Sequence, residues 1–85
     1  ELEQAILGQL SIAMAEGDPR GPEAKKLVGM HRRWVGLHWG SEPEDEAYLG
    51  LVKGYLVDPR FVSYYDDPCG TGATAFLVEA VENRM

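Results

Sequence analysis

The feature that most constrains this chain is its punctuation. Gly17-Asp18-Pro19, Gly40-Ser41-Glu42-Pro43, Asp58-Pro59 and the stretch from Asp66 to Gly72 divide it into five segments. Glycine and proline in such combinations end one helix and open the next. Within the segments apolar residues recur at three- and four-residue spacing, and no run alternates as a strand would. The prediction is an all-α fold, a small five-helix bundle. With 85 residues the chain forms one domain at most, expected to divide into an N-terminal helix and loop over 1–20 and a core over 21–85. A chain this short buries only about 60–65% of its unfolded surface, so modest stability is expected.

The first helix is predicted over about Leu2 to Ala15, with Leu2, Ile6, Leu10, Ala13 and Met14 inward and Gly8 weakening it. The second covers about Glu23 to Trp39, with Ala24, Leu27, Val28, His31, Trp34, Val35 and His38 on one broad face. Gly29 and Gly36 lie roughly one above the other on it, a place for close approach by a helix or a ligand. Ser41-Glu42-Pro43-Glu44 reads as a capping box for a third helix, whose apolar face is Ala47, Tyr48, Leu51, Val52, Tyr55 and Leu56. Asp58 caps a short fourth helix over about Pro59 to Tyr65. Asp66 to Gly72 reads as a loop, with Thr71 or Gly72 capping a last helix over about Ala73 to Asn83.

Charge narrows the partners. The net charge is −6, and Arg32 and Arg33 form no extended basic stripe. Both facts argue against DNA or an anionic membrane as a direct partner of this segment. The single cysteine, Cys69, precludes an internal disulfide and fits a reducing cytoplasm. No apolar run approaches the roughly 20 residues of a spanning helix, and no signal peptide is visible. The chain opens at Glu1 inside a helical pattern, without an initiator methionine, and is expected to be a fragment of a longer protein.

Chemistry-bearing residues are mostly aromatic. His31 and His38 are seven apart on one helix, but no third donor stands at zinc-type spacing. His31 reads instead as a hydrogen-bonded structural or pocket histidine. Tyr55, Phe61 and Phe76 read as core. Trp34, Trp39 and Tyr48 are better pocket candidates, because tryptophan and tyrosine favour half-wet sites where the ring packs and the polar tip finds a partner. Cys69-Gly70-Thr71-Gly72 lacks the lysine and preceding strand of a phosphate loop. Cys69 has no His or Lys beside it to activate a nucleophile. The carboxylates of Glu42 to Glu46 look like a solvated helix start and not an acid/base pair. No catalytic grouping emerges, and neither an enzyme nor a cofactor is expected.

Taken together, His31-Arg32-Arg33-Trp34, Trp39, Tyr48, Tyr55, Asp58-Pro59-Arg60-Phe61, Tyr65-Asp66, Gly72, Phe76-Leu77 and Ala80 resemble the TipAS antibiotic-recognition domain over about Pro22 to Val81. That family forms the C-terminal effector part of some MerR-type transcription regulators. The resemblance implies a globin-like all-α fold and a cleft between helices for thiopeptide antibiotics or other bulky hydrophobic compounds. It also implies that DNA is bound by an N-terminal winged-helix region, with a coiled-coil helix making the full-length protein a homodimer. Some relatives capture thiopeptides covalently through a cysteine on the third helix. The matching position here is Gly50, which implies reversible binding. On this reading His31, Trp34, His38, Trp39 and Tyr48 line or rim the pocket, Tyr64 and Tyr65 close one side, and the first helix acts as a lid. The alternative is a helical protein-interaction module whose exposed aromatics meet a partner.

Overall fold

The structure, a computed structural model, describes residues 2–84. Five helices follow one another: α1 (Leu2–Glu16), α2 (Pro22–Trp39), α3 (Asp45–Tyr55), α4 (Pro59–Cys69) and α5 (Ala73–Glu82). No strand occurs among the described residues, so the fold is all-α, as predicted. α5 touches each of the other four helices, and α1 packs chiefly on α2. The central place of α5 follows from its composition. Ala73, Thr74, Leu77, Val78, Ala80 and Val81 are all buried, small enough on one side and apolar enough on the other to be surrounded. Leu10, Leu27, Tyr48 and Val52 complete a core from which solvent is excluded.

Two helix boundaries differ from the sequence reading, each for a physical reason. The capping box at Ser41 does not form: α3 begins at Asp45, with Glu44 in the N-cap position and no side-chain cap. The segment before it is held by α2, where Arg32 donates from Nε and Nη2 to the Pro43 carbonyl and from Nη1 to Asp45 at 2.8 Å. α4 continues through Pro68 to Cys69 where a loop was expected. The acceptor that ends it is Asp66, which also supplies the cap missing from α5. Its carboxylate accepts from Gly72 N at 3.0 Å and from Thr74 N and Oγ1, both at 2.8 Å. Gly72 occupies the cap position at φ +93°, a left-handed conformation that favours glycine; the capping oxygen comes from the preceding helix.

Other signals hold. Asp58 accepts from the Arg60 backbone N–H at 3.0 Å and caps α4. Gly40 ends α2 in the left-handed region. Phe61, expected in the core, instead stacks on Tyr55 with 4.5 Å between ring centres and keeps its outer face in solvent. Ala47 and Leu56, expected on the buried face of α3, are exposed. The turn between α1 and α2 is tied to the C-terminal end of the described chain. Arg84 donates to the Gly21 carbonyl at 3.1 Å, and Arg20 donates to Asn83 at 3.1 Å.

The two glycines of α2 serve different ends. A Cβ on Gly36 would lie 2.9–3.0 Å from Glu42, including its backbone N and Cα, whereas a Cβ on Gly29 would meet nothing within 4 Å. Close approach is therefore realised at Gly36, by the chain itself. Gly29→Ala should stabilise the protein by up to about 1 kcal/mol through helix propensity. Gly36→Ala should destabilise it, because displacing a packed backbone costs about 1–3 kcal/mol and outweighs that gain. Thermal melts of the two variants should move in opposite directions; a rise for both would show that the α2–Glu42 contact yields freely.

Candidate functional site

His31 lies on the inner face of α2 and is fully buried. A buried imidazole must have both ring nitrogens satisfied, and in its neutral form one donates while the other accepts. Here the partners are tyrosines from two other helices. Nδ1 is 2.7 Å from the Tyr48 hydroxyl of α3. On the other side, Nε2 is 3.3 Å from the Tyr65 hydroxyl of α4 and 3.4 Å from that of Tyr55 at the end of α3. The Tyr55 and Tyr65 rings themselves lie 5.6 Å apart, centre to centre. One imidazole thus joins α2, α3 and α4.

Burial sets the charge of this cluster. It holds His31 down to a pKa of about 4, so the ring is neutral near pH 7. Burial, reinforced by Tyr55, pushes the Tyr48 phenol well above its ordinary range, and the same two influences act on Tyr65. Burial raises Tyr55 as well. The group is therefore a set of neutral hydrogen-bonding side chains and contains no proton donor or acceptor poised for chemistry near neutrality.

Beside this cluster a half-open cleft of about 190 Å³, its mouth included, lies between α1, α2 and α4. Its walls are Glu3, Ile6 and Leu7 of α1, His31 and Trp34 of α2, and Tyr64 and Tyr65 of α4. The surface inside is almost wholly carbon, since the His31 nitrogens and the Tyr65 hydroxyl are turned into the hydrogen-bonded cluster. At the mouth the Tyr64 hydroxyl donates to the Glu3 carboxylate, joining α4 to α1. Tyr64 also meets Tyr65 edge to face at 4.9 Å.

The seven residues singled out in the sequence fall into two groups. His31, Trp34, Tyr64 and Tyr65 meet at the cleft. Tyr48, His38 and Trp39 do not line it. Tyr48 is fully buried behind His31, with the Arg32 guanidinium 5.2 Å from its ring centre. His38 is exposed at the end of α2, its ring 4.5 Å from Trp34 and its Nδ1 3.0 Å from the Trp34 carbonyl oxygen. Trp39 is half exposed, one residue before the helix stops. Glu3, Ile6 and Leu7 had no place in the sequence reading of the site. Their signal was available: Glu3 and Leu7 are four residues apart, on the stripe of α1 bordering its buried face. Gln9, buried within that face, was also unforeseen; it donates to the Glu23 carbonyl and carboxylate, each at 2.9 Å, and fastens α1 to α2.

Gly50, which the resemblance sets against the cysteine of some relatives, is exposed on α3, and α3 contributes no residue to the cleft. Cys69 is half-buried, its Sγ donating to the Leu7 carbonyl at 3.3 Å. Among the described residues no group of three or more His, Cys, Asp or Glu could hold a metal ion, and no helix is long and apolar enough to cross a membrane.

Protonation of His31 should limit acid stability. Above pH 6.5 the ring is neutral in both folded and unfolded chains. Between pH 6.5 and about 4 only the unfolded chain takes up the proton, so stability falls as pH falls, by at most about 1.4 kcal/mol per unit and about 3 kcal/mol in all. Asp58, lowered by its bonds to Arg60, and Asp66, lowered by its bonds to Thr74 and Gly72, act only below that window. Denaturant unfolding at pH 7, 6, 5 and 4.5 should show this slope, and His31→Gln should flatten it. An unchanged slope in the variant would place the titrating group elsewhere.

Comparison with known proteins agrees with the resemblance read from the residues. The TipAS antibiotic-recognition domain family matches residues 1–83. Two curated relatives are similar over 79 residues at 30% identity: the HTH-type transcriptional regulator SkgA of Caulobacter vibrioides strain NA1000 / CB15N and its counterpart in strain ATCC 19089 / CB 15. The match covers 92% of this chain and 31% of each relative, so the chain spans about a third of their length. No solved structure matches the chain. The chain belongs to the TipAS antibiotic-recognition domain family.

Proposed function

We propose that this TipAS domain is the ligand-sensing effector part of a cytoplasmic transcription regulator, binding bulky hydrophobic or thiopeptide-like antibiotics in the cleft between α1, α2 and α4. The observation that carries the reading is the cleft itself: a concave, carbon-lined surface bounded by Trp34, Tyr64, Tyr65 and His31, backed by a rigid hydrogen-bonded cluster. Its neutral groups suit binding and not catalysis. DNA contact and homodimerisation are assigned to other parts of the regulator, in keeping with the acidic charge of this segment.

The enclosed part of the cleft is only about 10 Å³, room for about one water, against roughly 300–1,000 Å³ for drug-sized pockets. A large ligand therefore seats one edge there and widens the gap between α1 and α4, with the segment 1–20 serving as cover over the core of 21–85. The Glu3–Tyr64 contact is what such a ligand displaces first.

Thermal-shift and calorimetric titration with thiopeptides tests the reading, since a ligand of the folded state raises the melting temperature by mass action. Trp34 is on the cleft wall and Trp39 is not, so in a Trp39→Phe variant the remaining emission should change saturably on binding. Calorimetrically confirmed binding that leaves Trp34 silent would move the site. If only a protein partner stabilises the chain, the interaction-module reading stands, with exposed Leu37, Trp39 and Val57 as its surface.

Capture is expected to be reversible. Cys69→Ser should leave thiopeptide affinity within a few-fold, and mass spectrometry after incubation with a dehydroalanine-containing thiopeptide should show unmodified protein. A stoichiometric adduct on Cys69 would overturn this expectation.

A further inference from the structure

We propose that the cleft prefers an organic cation, an alkylammonium head on an apolar or aromatic body, to a neutral compound of the same shape; this rests on the reading of the cleft as a ligand site. Its lining combines aromatic rings with one formal charge. Trp34, Tyr64 and Tyr65 provide three π-systems, and Glu3 stands at the mouth. Ring faces attract ammonium groups through their quadrupole, and a carboxylate beside them adds to that attraction.

Neither lysine nor arginine is among the lining residues. The one basic-type residue in the lining, His31, is kept neutral by burial. α1 carries no lysine or arginine. The one arginine of α4, Arg60, pairs with Asp58 at 2.9 Å. On α2, Arg32 is turned to Asp45 and Pro43 on the side of Tyr48, away from the lining. The walls offer a ligand almost no polar atoms, so recognition there comes from ring faces, apolar contact and the Glu3 charge. The bond from Tyr64 leaves Glu3 with further lone pairs and holds its carboxylate at the mouth.

The probes are benzyltrimethylammonium and its neutral isostere neopentylbenzene, which differ by one charge at constant shape. Binding is followed by NMR titration of the Trp34 indole N–H in the full chain. The cation should bind at least about fivefold more tightly. Glu3→Gln should weaken the cation about two- to fivefold and leave the neutral probe unchanged. Tyr64→Phe, which removes the hydroxyl but keeps the ring and the carboxylate, should retain the preference for the cation. Equal or tighter binding of neopentylbenzene overturns the charge preference while keeping the cleft as a ligand site, as does a cation affinity indifferent to Glu3→Gln. If neither probe perturbs Trp34 up to saturation of the solution while a thiopeptide does, the preference fails and the ligand-site reading stands; if the thiopeptide is also silent, both fail.

Discussion

Everything in this fold that positions a site depends on one buried imidazole finding partners on two other helices. Placing a histidine in a solvent-free core without them would leave a polar ring unsatisfied, at a cost of about 1–3 kcal/mol per lost partner. His31 meets Tyr48 at 2.7 Å on one nitrogen and the Tyr65–Tyr55 pair on the other. These distances specify how far α3 and α4 stand from α2 and at what rotation. Apolar contact alone tolerates slippage; a hydrogen bond of fixed length does not. The back wall of the cleft is the outer surface of that same cluster, so its shape is set by the interior.

Around this centre, single polar side chains fix the helix ends in place of local capping. Arg32 holds the entry to α3 through Pro43 and Asp45, and Asp66 fastens the start of α5 to α4. Gln9 joins α1 to the first turn of α2. Each reaches across an element boundary, so the short connections need little order of their own. In so small a protein such links supply geometric definition that a modest apolar core would leave loose.

Local signals were legible in the sequence; cross-helix ones were not. Five helices, the stop at Gly40 and the cap at Asp58 follow from residue identity and neighbours. The role of Asp66 did not, because its partners Gly72 and Thr74 lie six and eight residues away, beyond any capping rule. The capping box at Ser41 looked correct and lost to Arg32, a tertiary competitor. Of the aromatic set, residue type marked Trp34 and the resemblance marked Tyr64 and Tyr65, and the structure brings these to one cleft with His31. Residue type could not rank Tyr48 as interior or Trp39 as peripheral, since both are aromatics with a polar tip and only packing separates them. Glu3 was invisible as a site residue because a charged side chain in a first helical turn ordinarily signals nothing beyond the helix dipole.

The glycines of α3 carry a further consequence. Gly50 and Gly54 both fall within its eleven residues, and neither meets any neighbour that would demand a bare backbone. The helix is thereby intrinsically weak, by about 1 kcal/mol at each position, yet it holds Tyr48, Val52 and Tyr55 in the interior. Its order is thus maintained from the side-chain end: the rings are clamped while the backbone is poorly self-sustaining. Such a helix exchanges its exposed-face amide hydrogens by local opening without releasing the buried rings, so slow amide protection and deep burial do not coincide along it.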